Sequence, residues 1–143
     1  MIILNKDLWE DDRILKLTSS EDWEGADDHL INNCILNEIK ELISEASQTN
    51  RLGVLFFDFT KGEFPPIAEA MKFVKFMVSI QPLIIEGIDF TILYMTNKTH
   101  KDFVTGILKI YKPAKPIHIL QEKQKIRNLL NSRMQGISIQ QEI

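Results

Sequence analysis

The segment Leu52–Phe59 constrains the fold most strongly, because apolar residues occupy both of its faces when it is read as a strand. Such a strand needs cover on both sides, which is typical of the centre of an α/β sheet. Asp58 and Thr60 stand at its carboxyl end, and Pro65 and Pro66 follow where a helix can begin. The segment therefore predicts a buried strand, a tight loop and a helix, in that order.

Apolar periodicity predicts the other elements of the chain. Residues 1–4 form a short apolar segment, 7–12 an acidic turn, and 14–17 a weakly alternating second strand. Stripes at helical spacing predict four helices, at 27–46, 65–82, 97–111 and 121–134, separated by strands at 52–59, 89–96 and 117–120. The order predicts a single layered α/β domain over residues 1–134, with a mostly parallel sheet of four to five strands and helices on both sides. Residues 135–143 are expected to form a flexible tail.

The bulk composition fits a globular domain, with 143 residues, 44% hydrophobic and 26% charged. The one cysteine, Cys34, falls on the apolar face of a predicted helix and is expected to pack in the core. No apolar run reaches the length of a membrane span, and the acidic residues near the start do not fit a signal peptide. We therefore expect a cytoplasmic protein.

Charge is unevenly distributed along the chain. Residues 1–50 contain 4 Lys/Arg against 12 Asp/Glu, whereas residues 51–143 contain 13 against 8. The pattern predicts an acidic surface and a mildly basic one. The lysines are scattered and few aromatic residues lie among them, so no nucleic-acid partner is expected.

The residues that commonly carry catalysis do not form a recognisable group. His29, His100 and His118 are far apart in the sequence, whereas a metal site needs several such ligands together. The loop after the central strand has the single glycine Gly62 and does not match a phosphate-binding loop, and no serine stands in a nucleophile elbow. We expect no catalytic residue, no metal, no cofactor and no enzymatic activity.

Two features admit both a structural and a functional interpretation. A carboxylate at the end of an apolar strand needs partners, because burial of an unpaired charge is costly. Asp58 therefore either accepts hydrogen bonds from backbone N–H groups of residues 60–63 or accepts them from a binding partner. A second helical stripe at Phe73, Phe76 and Ile80 predicts either core packing against the last helix or, if exposed, a partner or homodimer surface.

The layout resembles the STAS domain, the fold of bacterial anti-sigma factor antagonists and of the cytoplasmic tails of sulfate transporters. Gly53–Thr60 resembles the family's strand that ends in Asp, and Glu86–Leu93 is similar to its next strand, which a glycine precedes. Phe103–Leu108 resembles the following helix, and Ile117–Leu130 the terminal strand and helix. The resemblance implies a non-enzymatic regulatory domain that binds a protein partner near the start of the second helix.

One departure from the STAS pattern bears on regulation. Regulatory members carry a phosphorylated serine at the start of the second helix, but Glu63–Ala68 contains no hydroxyl group. The resemblance therefore implies a docking surface without the usual phosphoserine switch, and leaves open whether Thr60 or Thr99 is phosphorylated. The residues expected to bind the partner are Asp58, Thr60, Lys61, Glu63 and Phe64, with Phe64 as an apolar anchor.

A weaker resemblance, carried by the segment Thr96–Pro113, is to the CRAL-TRIO lipid-carrier domain, which has a related order of strands and helices. That family normally has an additional helical region and a large apolar cavity. This second resemblance implies a carrier of a lipid or a small apolar ligand as the alternative function.

Overall fold

The computed structural model describes residues 4–9, 13–19, 28–49, 51–61 and 67–133. Five strands and five helices occupy these residues, and their bounds follow in chain order. They are β1 Leu4–Trp9, β2 Ile14–Ser19, α1 Asp28–Thr49, β3 Gly53–Asp58, α2 Ile67–Ser79, α3 Gln81–Gly87, β4 Ile88–Tyr94, α4 Lys98–Ile110, β5 Ile117–Leu120 and α5 Lys123–Arg133. The tail expected at 135–143 lies outside the described residues.

The strands form one sheet in the order β1-β2-β3-β4-β5. β1 runs antiparallel to β2, whereas the pairs β2–β3, β3–β4 and β4–β5 are parallel. All six residues of β3 are buried, and this strand has two neighbours on either side. The expected α/β domain, with a mostly parallel sheet and a buried central strand, is confirmed.

The second predicted helix is two helices in the structure. α2 ends at Ser79, and α3 begins at Gln81 after a non-helical Ile80 with φ −101° and ψ 15°. Pro82 lies in the first turn of α3, where a residue without an N–H group is tolerated. The prediction that Pro82 ends a helix was therefore wrong, because α2 ends three residues earlier and Pro82 lies within the first turn of α3.

The acidic turn expected at 7–12 was wrong for its first residues. β1 extends to Trp9 and pairs with β2 from Leu4↔Ser19 to Trp9↔Ile14. Within the described sheet β1 is an edge strand with one neighbour, a position where polar residues such as Lys6 and Asp7 are compatible with strand structure.

The helices cover the two faces of the sheet unequally. Right-handed crossovers between strands in sequential order return each connecting helix to the same face. Accordingly, Leu42 of α1, Ile84 of α3 and Val104 of α4 belong to one apolar cluster with the sheet, and residues of α2 pack against it. Ile126 and Leu130 of α5 belong to a second cluster on the opposite face. Helices lie on both sides as expected, in a ratio of four to one among those described.

The stripe at Phe73, Phe76 and Ile80 has the core position that was one of its two interpretations. Ile80 is buried in the cluster of the four-helix face, and both phenylalanines pack against that cluster. The expectation that the stripe contacts the last helix was wrong, because α5 lies on the other face of the sheet.

Arg13 fastens the end of α1 to the beginning of two strands. Its buried guanidinium donates to Leu42 O at 2.5 Å, to Arg51 O at 3.2 Å and to Glu45 Oε2 at 3.3 Å. Its own carbonyl accepts from Val54 N at 2.9 Å. Arg13 has φ 55°, an uncommon value for a residue other than glycine, and these bonds hold the backbone there.

Gly87 lies at a close approach between α1 and α3. A Cβ atom placed there would lie 2.9 Å from Ile43 Cβ and 3.0 Å from Ile43 Cα. The Ile43 Cα atom belongs to the backbone of α1 and cannot rotate away as a side-chain atom could. Gly106 differs, because it lies within α4 and a Cβ there would meet no atom within 4 Å.

We expect Gly87→Ala and Gly106→Ala to change stability in opposite directions. Gly87→Ala should lower the free energy of unfolding by about 1–3 kcal/mol through overpacking against α1. Gly106→Ala should raise it by about 0.5–1 kcal/mol, because alanine favours an exposed helix interior more than glycine does. Chemical denaturation of both variants measures the difference. Equal effects of the same sign would contradict the close contact between α1 and α3.

Candidate functional site

The loop after β3 lies at the carboxyl edge of the parallel strands. Phe59 N donates to Tyr94 O at 2.9 Å, which places the start of this loop beside the end of β4. In open α/β sheets this edge, where strands end and helices begin, is the usual place for binding. It is also where the sequence placed the candidate residues.

Asp58 makes its polar contacts with other residues of the same chain. Its carboxylate is 2% exposed, and Oδ1 accepts from Thr60 N at 2.8 Å and from Thr60 Oγ1 at 2.5 Å. Its Oδ2 atom lies 3.8 Å from Lys16 Nζ. These are structural contacts of the kind that the sequence offered as one of two interpretations. Asp58 therefore orders the first turn of the loop from inside the protein.

Lys16 is the partner that sequence analysis did not identify. It is 8% exposed, and its ammonium lies 5.4 Å from the centre of the Phe56 ring. The alternation of β2 places Lys16 on the same face as Ile14, which is buried against α5. The alternation of β2 could have indicated a buried Lys16 in the sequence. A lysine that points to the same face as the buried residues of a strand needs an acceptor for its charge.

Tyr94 completes the polar group near the carboxyl end of β3. It is opposite Asp58 in the register of β3 and β4. Burial raises the pKa of the Tyr94 phenol above its ordinary value, and the nearby Asp58 carboxylate raises this pKa further. The phenol therefore stays protonated at neutral pH, and proton transfer from it at that pH is disfavoured.

The other residues expected to bind a partner are only partly described. Thr60 is half-buried with its hydroxyl bonded to Asp58, whereas Lys61 is exposed. Glu63 and Phe64 lie outside the described residues. An apolar side chain that sequence analysis did not select, Ile67 in the first turn of α2, is 68% exposed.

The histidines of the described segments do not converge. His118 contacts Phe90 edge-to-face at 5.4 Å between ring centroids, and His100 follows the N-cap of α4. Within residues 4–133, as far as the structure describes them, no group of three His, Cys, Asp or Glu residues is arranged to hold a metal ion. None of the described helices has the combined length and apolarity that crossing a bilayer requires.

A second candidate site is an apolar cavity of about 70 Å³ on the four-helix face. It lies between α2, α3 and α4 on one side and β3, β4 and β5 on the other. Aromatic and aliphatic side chains form nearly all of its wall. Its few polar residues lie toward the amino end of the strands, which we call the polar end of the cavity. The aromatic members are Phe57, Phe59, Phe73 and Tyr111, and the polar ones besides Tyr111 are Gln81, Thr91 and Lys115.

No protein-family model matches the chain, and no curated protein or solved structure matches it either. The chain's own residues and their geometry are therefore what bears on its function.

We expect Asp58 and Lys16 to be strongly coupled in stability. Asp58→Ala should lower the free energy of unfolding by about 3–5 kcal/mol, because it leaves a buried ammonium without its partner. Asp58→Asn should cost less, since the amide oxygen can still accept from Thr60. Adding Lys16→Met to Asp58→Asn should recover part of the loss, as measured by urea denaturation of a double-mutant cycle. Additive effects of the two single changes would show that the pair does not interact.

Proposed function

We propose that the protein is a non-enzymatic interaction domain of STAS type that binds a protein partner at the carboxyl edge of its sheet. The observation that carries this proposal is the exposure of Ile67, 68%, on the same edge as the exposed Lys61. An exposed apolar residue can anchor an interface because it is desolvated on binding, and a cation on the same edge can select the partner by charge.

Hydrogen bonds at the start of the preceding loop, between Asp58 and Thr60, support binding at this edge. Asp58 holds Thr60 through two hydrogen bonds and is itself paired with Lys16. A loop that is already fixed loses less conformational freedom on association than a mobile one. Lys61 therefore follows a turn that needs little further ordering.

Charge favours a partner with an acidic surface. Like α1, which begins at Asp28, the helices α2, α4 and α5 each follow a parallel strand. Their N-termini therefore lie at the carboxyl edge with partial positive charge. Exposed Lys61, Lys98 and Lys123 add cations there. Glu122 is also exposed on this edge, but it lies 3.9 Å from Lys125 and is partly neutralised by it.

The proposed regulation differs from that of phosphorylated STAS domains. Residues 63–68 contain no hydroxyl group, and the Thr60 hydroxyl is engaged with Asp58. We propose that partner binding at this edge does not depend on phosphorylation of the second helix.

The alternative, a lipid carrier, receives less support. Pockets for drug-sized ligands commonly measure about 300–1,000 Å³. The described cavity of about 70 Å³ is several times smaller. A lipid would require a large separation of α2 and α4 from the sheet, whereas a partner at the carboxyl edge requires none.

The double variant Lys61→Glu, Ile67→Asp tests the docking edge. Cross-linking capture from an extract of the source cells, followed by quantitative mass spectrometry, should show loss of one protein by about tenfold or more relative to wild type. Both changes replace groups that the proposed interface needs, and both lie on the surface. If the captured protein is a second copy of this chain, the molecular mass of the cross-linked complex is twice that of the chain.

The matched control is Lys109→Glu, Ile110→Asp at the end of α4, near the opposite edge of the sheet. Ile110 is 77% exposed, so the control removes at least as much exposed apolar surface. The control should capture the same protein at the wild-type level. Equal capture by both double variants, or equal loss in both, would refute the proposed edge.

A further inference from the structure

The polar end of the cavity contains a buried hydroxyl group without a hydrogen bond. Thr91 is 4% exposed and lines the cavity, and its side chain makes no hydrogen bond with the described part of the chain. Buried hydroxyl groups in folded proteins nearly always have a partner, and an exception calls for a bound molecule or an ordered water. The Thr91 hydroxyl is thus a group that an ordered water or the polar part of a ligand in this cavity can satisfy.

Backbone bonds bring other polar residues close to Thr91. Thr91 N donates to Pro116 O at 3.0 Å, and Lys115 precedes that proline. Gln81 Oε1 accepts from Ala114 N at 2.9 Å, which ties the turn before β5 to the start of α3. The turn that carries Lys115 is therefore fixed at both ends.

Lys115 supplies a positive charge at this polar end. It is half-buried and lines the cavity, and no ion pair joins its ammonium to the residues that the structure describes. Tyr111 follows α4 in the chain, is also half-buried and lines the same cavity. A cation and two hydroxyl groups that can donate are suited to an anionic head that accepts hydrogen bonds.

The rest of the cavity wall is apolar, so the part of a ligand that lies against it must be apolar and small. Phe57, Phe59 and Phe73 stand toward the carboxyl end of the strands, with Leu93 and Met95 of the sheet. A cavity of about 150 Å³ encloses one benzene ring, so the present 70 Å³ encloses about three or four carbon atoms. The remainder of a ligand would lie at the polar end.

We propose that this cavity binds a short-chain monocarboxylate, with its alkyl tail among the phenylalanines and its carboxylate at Lys115, Thr91 and Tyr111. This site goes beyond the proposed docking function and shares none of its tested residues. A chain of about six carbons fills the enclosed part and leaves the head at the polar end.

The test uses butanoate, hexanoate, decanoate and the neutral hexan-1-ol as probes, with methyl-labelled methionine as the reporter. Met77 and Met95 line the cavity, whereas Met71 does not. Hexanoate should shift the methyl signals of Met77 and Met95 and leave that of Met71 in place. Absence of any shift up to about 10 mM ligand would overturn the proposal, since small ligands in a matched site bind more tightly than that.

Chain length distinguishes this site from a lipid site. Affinity should rise about tenfold from butanoate to hexanoate, as two further methylene groups become buried. It should then change little to decanoate, whose added carbons lie outside the enclosed space. A continued rise to decanoate would overturn the proposal in favour of a lipid carrier.

Two pairs of variants locate the ligand. Lys115→Gln should weaken hexanoate about tenfold and leave hexan-1-ol nearly unchanged, whereas Lys112→Gln, at an exposed residue outside the cavity, should affect neither. Ala70→Leu should fill the cavity and abolish binding, and Ala68→Leu on the exposed face of α2 should not. If Ala70→Leu does not fold, the lysine pair still decides. Equal effects of Lys115→Gln and Lys112→Gln would overturn the assignment.

Discussion

The burial of β3 on both faces is the constraint on which the rest of the structure depends. A strand that is apolar on both sides is shielded from water when a layer of other residues lies on each side. The sequential strand order opposes an even distribution of helices between the two faces of the sheet, because each right-handed crossover places its helix on the same face. α5 follows the last strand without a further crossover in the described sheet, and its Ile126 and Leu130 cover the opposite face.

The two faces differ in how polar groups are accommodated. On the α5 face, Lys16 and Asp58 are buried together, so each reduces the cost of burying the other. On the four-helix face, Thr91 is buried beside a cavity, and its side-chain hydroxyl makes no hydrogen bond with described residues. The charges of Lys16 and Asp58 are paired within the chain, so this arrangement contributes to the stability of the fold. The Thr91 hydroxyl has no such partner among the described residues, and it is therefore the group that bears on ligand binding.

Sequence alone predicted the elements whose apolar spacing is regular, and missed features that depend on distant residues. β5 was predicted with its observed bounds, Ile117–Leu120. Two prolines precede this short apolar segment and a helix follows it, so both of its ends were marked in the sequence. The division of α2 from α3 was missed because Pro82 is compatible with either end of a helix. Arg13 was missed because its partners stand 29 to 38 positions along the chain, beyond the reach of periodicity. The candidate loop was located in sequence, but the inward direction of Asp58 required the pairing of β2 with β3.

The end of β3 lies between the docking edge and the cavity and belongs to both. Neighbouring residues of a strand point to opposite faces, so Asp58 anchors the loop from the α5 face while Phe57 and Phe59 line the cavity. Lys61 and Lys115 lie toward opposite ends of the parallel strands, a separation of about 20 Å for a six-residue strand. This is roughly two Debye lengths at physiological salt, so a charge change at one lysine has little direct effect at the other. Loss of binding at one place with retention at the other therefore reports local chemistry, because unfolding would remove both.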